Sequence, residues 1–85
     1  MSRLARRARV DHAQAAAAIR AQPGAWLPVG EYRSTTSADG TAWMIRAAPA
    51  NSQSGRLYAP AGSFETRTEP AETGTRVLAR YTGPA

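Results

Sequence analysis

The chain has no cysteine, no lysine, a single histidine and no apolar run approaching a membrane span. Without cysteine there is no disulfide and no thiolate metal site, and nothing points to an oxidising compartment. A spanning helix needs about 20 mainly apolar residues, and no such stretch exists here. The N-terminus is basic, but Ala15 to Ala18 is too short and too weakly apolar for a signal-peptide core. These readings place the protein in the cytoplasm, with no membrane partner. His12 stands beside Asp11 with no serine or cysteine nucleophile at a motif spacing, so it reads as a surface or capping-region residue. No His, Asp or Glu pair has metal-ligand spacing, and Gly24, Gly30 and Gly62 form no phosphate-binding loop. Glu65, Glu69 and Glu72 cluster, but paired carboxylates need a dry pocket for acid–base work, and a hairpin offers none. Large apolar side chains are scarce as well, because much of the 42% hydrophobic content is alanine. Eighty-five residues make one domain with a thin core and no deep cavity. The expectation is a non-enzyme with no catalytic residue, no metal, no cofactor and no small-molecule substrate.

What is present is positive charge. The net charge is +5 and all eleven basic residues are arginine. Coding bias in a GC-rich genome accounts for arginine in place of lysine. It does not account for the excess of base over acid, which suits an anionic partner, since the guanidinium forks onto phosphate.

Taken in order, residues 1–10 form a basic arm carrying Arg3, Arg6, Arg7 and Arg9. Four arginines on so short a segment repel one another, which favours an arm that is loose or helical only when bound. Asp11 and Gln14 have capping-box spacing and predict a helix from Asp11 to Ala21, closed by Pro23-Gly24. On a helical wheel Leu4, Ala8, Ala15 and Ile19 share one face, and Arg6, Arg9 and Arg20 the opposite, solvated one. Trp26 to Tyr32 predicts a strand, which Pro28 confines to an edge. Ser34 to Ser37 are candidate N-caps for a helix from about Ser37 to Ala48, with Asp39 in its first turn. Ala38, Ala42 and Ile45 form its inward stripe, and Trp43 and Met44 lie on the flanks. Arg56 to Thr68 reads as a strand bent at Pro60-Ala61-Gly62, and Glu69 to Gly74 as a hairpin loop. Thr75 to Thr82 is the clearest strand, with Val77, Ala79 and Tyr81 on one side and Arg76, Leu78 and Arg80 on the other. Residues 11–82 therefore form one domain, and 83–85 a tail. The fold class is α+β in two layers, order α-β-α-β-β: a three-stranded, mostly antiparallel sheet with both helices on one face.

Two surfaces follow. Arg67, Arg76 and Arg80 line up on one sheet face with Glu65 among them, and Trp26 and Tyr32 can join depending on register. Arginine with aromatics on an open sheet suits phosphate, guanine and base stacking. Trp43 and Met44 either pack against the N-terminal helix or offer an apolar surface to a protein partner, a second copy or a host protein.

The pattern Gly24-x-Trp26-x-x-Val29-Gly30-x-Tyr32, then Ser37-Ala38, Ile45-Arg46, Tyr58-x-Pro60-Ala61-Gly62-x-Phe64-Glu65-x-Arg67 and Ala79-Arg80-Tyr81 resembles short basic proteins of high-GC actinobacteria and of their phages and mobile elements. It covers most of the chain after Gln14. The resemblance implies a source and a genetic context; it brings no activity and transfers no functional residue. The leading expectation is a small DNA-binding regulator or accessory factor of a phage or mobile element. In it Arg3, Arg6, Arg7 and Arg9 clamp phosphates and Arg67, Arg76 and Arg80 form a second patch. The alternative is a protein-interaction module, such as a phage-encoded inhibitor, adaptor or structural piece, acting through Trp43 as a homodimer or against a host protein.

Overall fold

A computed structural model describes residues 10–83. In chain order the elements are α1 (His12–Ala21), β1 (Leu27–Tyr32), α2 (Thr35–Ala47), α3 (Gln53–Arg56), β2 (Phe64–Ala71) and β3 (Gly74–Tyr81). The strands form one antiparallel sheet in the order β1-β3-β2. The helices cover one of its faces: Ala16, Ile19, Ala38, Ala42 and Ile45 pack with Val29, Phe64, Val77 and Ala79 in a single buried cluster. The α+β class and the antiparallel three-stranded sheet are as the sequence indicates, with one short helix added. Arg3, Arg6, Arg7 and Arg9 lie outside the described residues. Val10, assigned to the arm above, packs against the core and sits so close to Gly30 that a Cβ there would fall 2.6 Å from its Cγ2.

Local chemistry explains the helix starts. Asp11 Oδ1 accepts the Gln14 amide at 3.0 Å and begins α1 at His12. Ser34 Oγ accepts the Ser37 amide at 3.1 Å, so α2 begins earlier than expected, at Thr35. Asp39 consequently falls beyond the first turn, where its charge meets little of the helix dipole. At the far end of α2, Ala48 adopts the left-handed conformation (φ 45°) and returns its amide to the Met44 carbonyl.

The segment between α2 and β2 departs from the sequence reading. Arg56 to Thr68 is not a bent strand. Ser52 Oγ accepts the Gly55 amide at 3.0 Å and starts α3, and tight turns then run to Ser63, with Gly62 at φ 85°. The turns bring Tyr58 inward, where it is fully buried. Glu69 to Gly74 is not a loop either. β2 and β3 pair out to Ala71 and Gly74, and only Glu72 and Thr73 lie between them. Pro70 is tolerated because β2 is an edge strand.

Tyr58 joins the layers. Its hydroxyl lies 2.8 Å from His12 Nδ1 on α1, and its ring stands edge-on to Phe64 (5.1 Å between centroids), which stands edge-on to Tyr81 (5.2 Å). Burial holds the His12 pKa below its ordinary value, against a smaller opposing pull from Asp11. The same cause, helped by nearby Tyr32, raises that of Tyr58. One hydrogen bond joins the Tyr58 hydroxyl and His12 Nδ1, and the histidine tautomer sets which of the two donates. Arg20, assigned above to a solvated face, is half-buried. Its Nη2 donates to the carbonyls of Leu57 (3.1 Å) and Ala59 (2.9 Å), and its guanidinium carbon lies 5.0 Å from the Phe64 ring and 5.3 Å from that of Tyr81. The turns after α3 leave those carbonyls without a ladder, and the arginine supplies donors.

Two measurements check this description. The unfolded chain takes up a proton on His12 at about pH 6.5 and the folded one only at lower pH, so stability is full above that value and declines as pH falls below it. Urea midpoints should hold level from about pH 8 to 6.5 and decline from there to pH 5, and His12→Gln, which keeps a hydrogen-bonding group for Tyr58, should flatten that decline; unchanged curvature in the variant contradicts the half-buried neutral imidazole. Ala48→Gly should raise stability by about 0.5–1 kcal/mol, since glycine occupies the left-handed region without steric cost; a loss of stability in thermal melts contradicts the cap geometry.

Candidate functional site

Alternate side chains of a strand point to opposite faces. Val77 and Ala79 are buried under the helices, so Arg76, Leu78 and Arg80 project from the helix-free face. The register builds that face in rows. Arg80 lies opposite Glu65; Leu78 lies between Pro28 and Arg67; Arg76 lies between Glu31 and Glu69. Arg67, Arg76 and Arg80 are therefore brought together, and Trp26, just before β1, joins them. The guanidinium carbons of Arg67 and Arg80 stand 4.6 and 4.8 Å from the Trp26 ring centroid.

Tyr32 does not join. The pairing of β1 with β3 shifts between Pro28 and Gly30, leaving Val29 as the extra residue of a bulge. A one-residue shift exchanges the faces of everything beyond it. Pro28 stays on the helix-free side, Tyr32 turns to the core, and Glu31 arrives beside Arg76. The sequence reading missed Glu31 for this reason. Pro28 two residues before Gly30 in a strand was the available signal.

Glu31 alters the electrostatics of the face. Arg76 Nη1 donates to Glu69 Oε2 at 2.8 Å, and its Nε and Nη2 to Glu31 Oε2 at 3.3 and 3.1 Å. These bonds, that of Glu69 foremost, raise the Arg76 pKa further and make its charge permanent. Arg80 Nε donates to Glu65 Oε1 at 2.7 Å. Three arginines thus face three glutamates, and the formal charge of the sheet face is zero. Arg67 has no carboxylate partner among the described residues. Exposed pairs of this kind contribute about 0–1 kcal/mol, so they orient the side chains more than they hold the fold.

The second predicted surface divides. Trp43 is 55% exposed, and the described residues of the N-terminal helix do not cover it. Met44 instead packs against the core. Beside Trp43 on α2, Arg46 Nη1 donates to Thr66 Oγ1 at 2.7 Å and ties the helix to β2.

No family model, no curated protein and no solved structure matches the chain. Among the described residues no group of three His, Cys, Asp or Glu side chains could hold a metal. No described helix is long and apolar enough to cross a membrane. A shallow recess of about 330 Å³ opens between Thr35, Glu69 and Thr75, and its one carboxylate, Glu69, is already engaged by Arg76.

The two tryptophans should report their surroundings separately. Trp43→Phe should leave one tryptophan, Trp26, that acrylamide quenches poorly; Trp26→Phe should leave one that it quenches readily. Equal quenching of the two single-tryptophan proteins contradicts the cover that Arg67 and Arg80 give to Trp26.

Proposed function

We propose that the protein binds nucleic acid without catalysing a reaction, as an accessory factor or regulator of a phage or mobile element. The distribution of charge carries this reading. Seven arginines against six acids leave residues 10–83 at +1. Residues 1–9 hold four arginines and no acid, and supply the rest of the +5. A nearly neutral domain thus bears a strongly basic segment at one end. Electrostatic attachment to phosphate through arginine is the chemistry such a segment offers. The helix-free face is the secondary contact in this reading. There Arg67 has no carboxylate to leave among the described residues, while Arg76 and Arg80 exchange weak glutamate pairs for phosphate. DNA duplex is the partner proposed, through its backbone and without sequence preference.

A second reading is supported by Trp43. An exposed tryptophan on a thin-cored domain suits a protein interface, where tryptophan is enriched among the residues that dominate binding.

Anisotropy of a labelled duplex at three salt concentrations tests the first reading. The log–log slope should be about −0.9 per phosphate neutralised. Deleting residues 1–9, and stopping short of Val10 because it packs on Gly30, should reduce that slope by up to about 3.6 while the fold persists. The combined variant Glu31→Gln, Glu65→Gln and Glu69→Gln should bind more tightly and with a steeper slope, since it frees two arginines. No binding even at low salt sinks the proposal; tighter binding by the deletion variant sinks the role of the segment.

A further inference from the structure

Leu78 projects from the helix-free face, yet it is buried without a helix over it. The register sets Pro28 on one side of it and Arg67 on the other. Trp26 at the entry to β1 and Arg80 on β3 complete the group, and Trp26, Arg67 and Arg80 all stay partly or wholly open to solvent. The two arginines converge on the Trp26 ring from different strands, at 4.6 and 4.8 Å from its centre. Their guanidinium carbons are therefore no further apart than those two distances laid end to end. Like charges held this close repel one another. A guanidinium stacked on a ring uses its face, while its N–H donors lie in the plane and remain available to other partners.

The donors of the two arginines are in different states. Arg67 has no carboxylate partner among the described residues. Arg80 has one: Glu65 Oε1 accepts from its Nε at 2.7 Å and lies 2.6 Å from its Nη2. Both side chains of that pair meet water (36% and 52% exposed), so the pair is weak. Two arginines and one glutamate leave one positive charge in excess. Glu65 thereby selects the anion that can enter. A phosphodiester carries a single charge. On Arg67 alone it gains one fork and meets the Glu65 carboxylate; at Arg80 it only replaces one single charge by another. A phosphate monoester carries a charge of about −1.5 to −2 at neutral pH and three strong acceptor oxygens. It answers both forks at once and gains more than Glu65 gives up.

We propose that Trp26, Arg67 and Arg80 form a binding site for a phosphate monoester dianion, and that Glu65 holds Arg80 in the free protein and yields its place to the ligand. The Trp26 ring keeps both guanidinium planes ordered before the ligand arrives, so less side-chain freedom is lost on binding. The internal phosphates of a duplex are diesters, and a phosphorylated strand end carries a monoester. The site therefore favours the end of a DNA strand over its middle. As a site for DNA it rests on the nucleic-acid reading above. A free mononucleotide offers the same chemical group, and the experiment separates the two sources.

Two hairpin duplexes of one sequence, with a terminal phosphate or a terminal hydroxyl at the open end, are titrated into the full chain beside thymidine monophosphate. In Trp43→Phe, where Trp26 is the only tryptophan, its emission reports occupancy. The phosphate-ended hairpin should bind about tenfold more tightly than the hydroxyl-ended one. That preference should vanish in Arg67→Gln. It should also shrink several-fold by about pH 5, since the second ionisation of the monoester lies near pH 6; the hydroxyl-ended hairpin at the same pH controls for effects on the protein itself. Thymidine monophosphate that displaces the hairpin at similar concentration assigns the site to free phosphomonoesters; displacement only at far higher concentration assigns it to strand ends. Equal and measurable affinity for the two hairpins, or a preference undiminished in Arg67→Gln or at low pH, overturns the site and leaves the nucleic-acid reading standing. A mononucleotide that binds while neither hairpin does keeps the site and removes that reading. No response to any phosphate probe removes both.

Discussion

The fold depends on the burial of Tyr58. This ring arrives from a stretch of turns with no ladder of its own, and it touches each layer: His12 on α1 through its hydroxyl, Phe64 of β2 and then Tyr81 of β3 through stacked edges. Arg20 closes the arrangement from the other side by holding the carbonyls on either side of Tyr58. A polar hydroxyl with no partner in an apolar core costs about 1–3 kcal/mol, a large share of the stability of so small a domain. The position of α1, the path of residues 57–63 and the start of β2 are therefore linked through one side chain, and no buried polar side-chain atom among the described residues is left without a partner.

On the opposite side of the sheet the same economy of charge has another effect. Counting arginines along β2 and β3 suggests a basic face, yet the register interleaves them with Glu31, Glu65 and Glu69. Excess charge is thereby concentrated in residues 1–9, while residues 10–83 are nearly neutral. The domain contributes shape, an exposed tryptophan and a sheet face whose ion pairs are weak enough to exchange. The first nine residues contribute the positive potential. In the function proposed above, attachment to a polyanion and contact with a protein would fall to different parts of the chain and need not compete.

Much of this was legible in the sequence, for identifiable reasons. The caps at Asp11 and the Ser34 region, the alternation in β3 and the small-residue stripe of α2 are local signals, and local geometry obeyed them. The strand expected from Arg56 failed because period-two alternation over a few residues does not distinguish a strand from turns that happen to bury one tyrosine. Arg20 was misplaced because a wheel records only the angle around α1 and not the carbonyls that a later turn brings alongside it. At the candidate site, Arg67, Arg76 and Arg80 were legible from alternation. The position of Glu31 and the loss of Tyr32 were not, because both follow from the bulge at Val29, which only pairing with β3 exposes.

The seating of Val10 against Gly30 fixes where the basic segment is tethered. A chain of nine residues reaches at most about 30 Å from its anchor, at roughly 3.3–3.6 Å per residue. Along a duplex rising 3.4 Å per base pair, that radius encompasses about nine base pairs. For the proposed function that bound has a consequence: phosphates within one turn of helix from β1 would be in reach of Arg3, Arg6, Arg7 and Arg9, and those beyond it would fall to the sheet face or to another molecule.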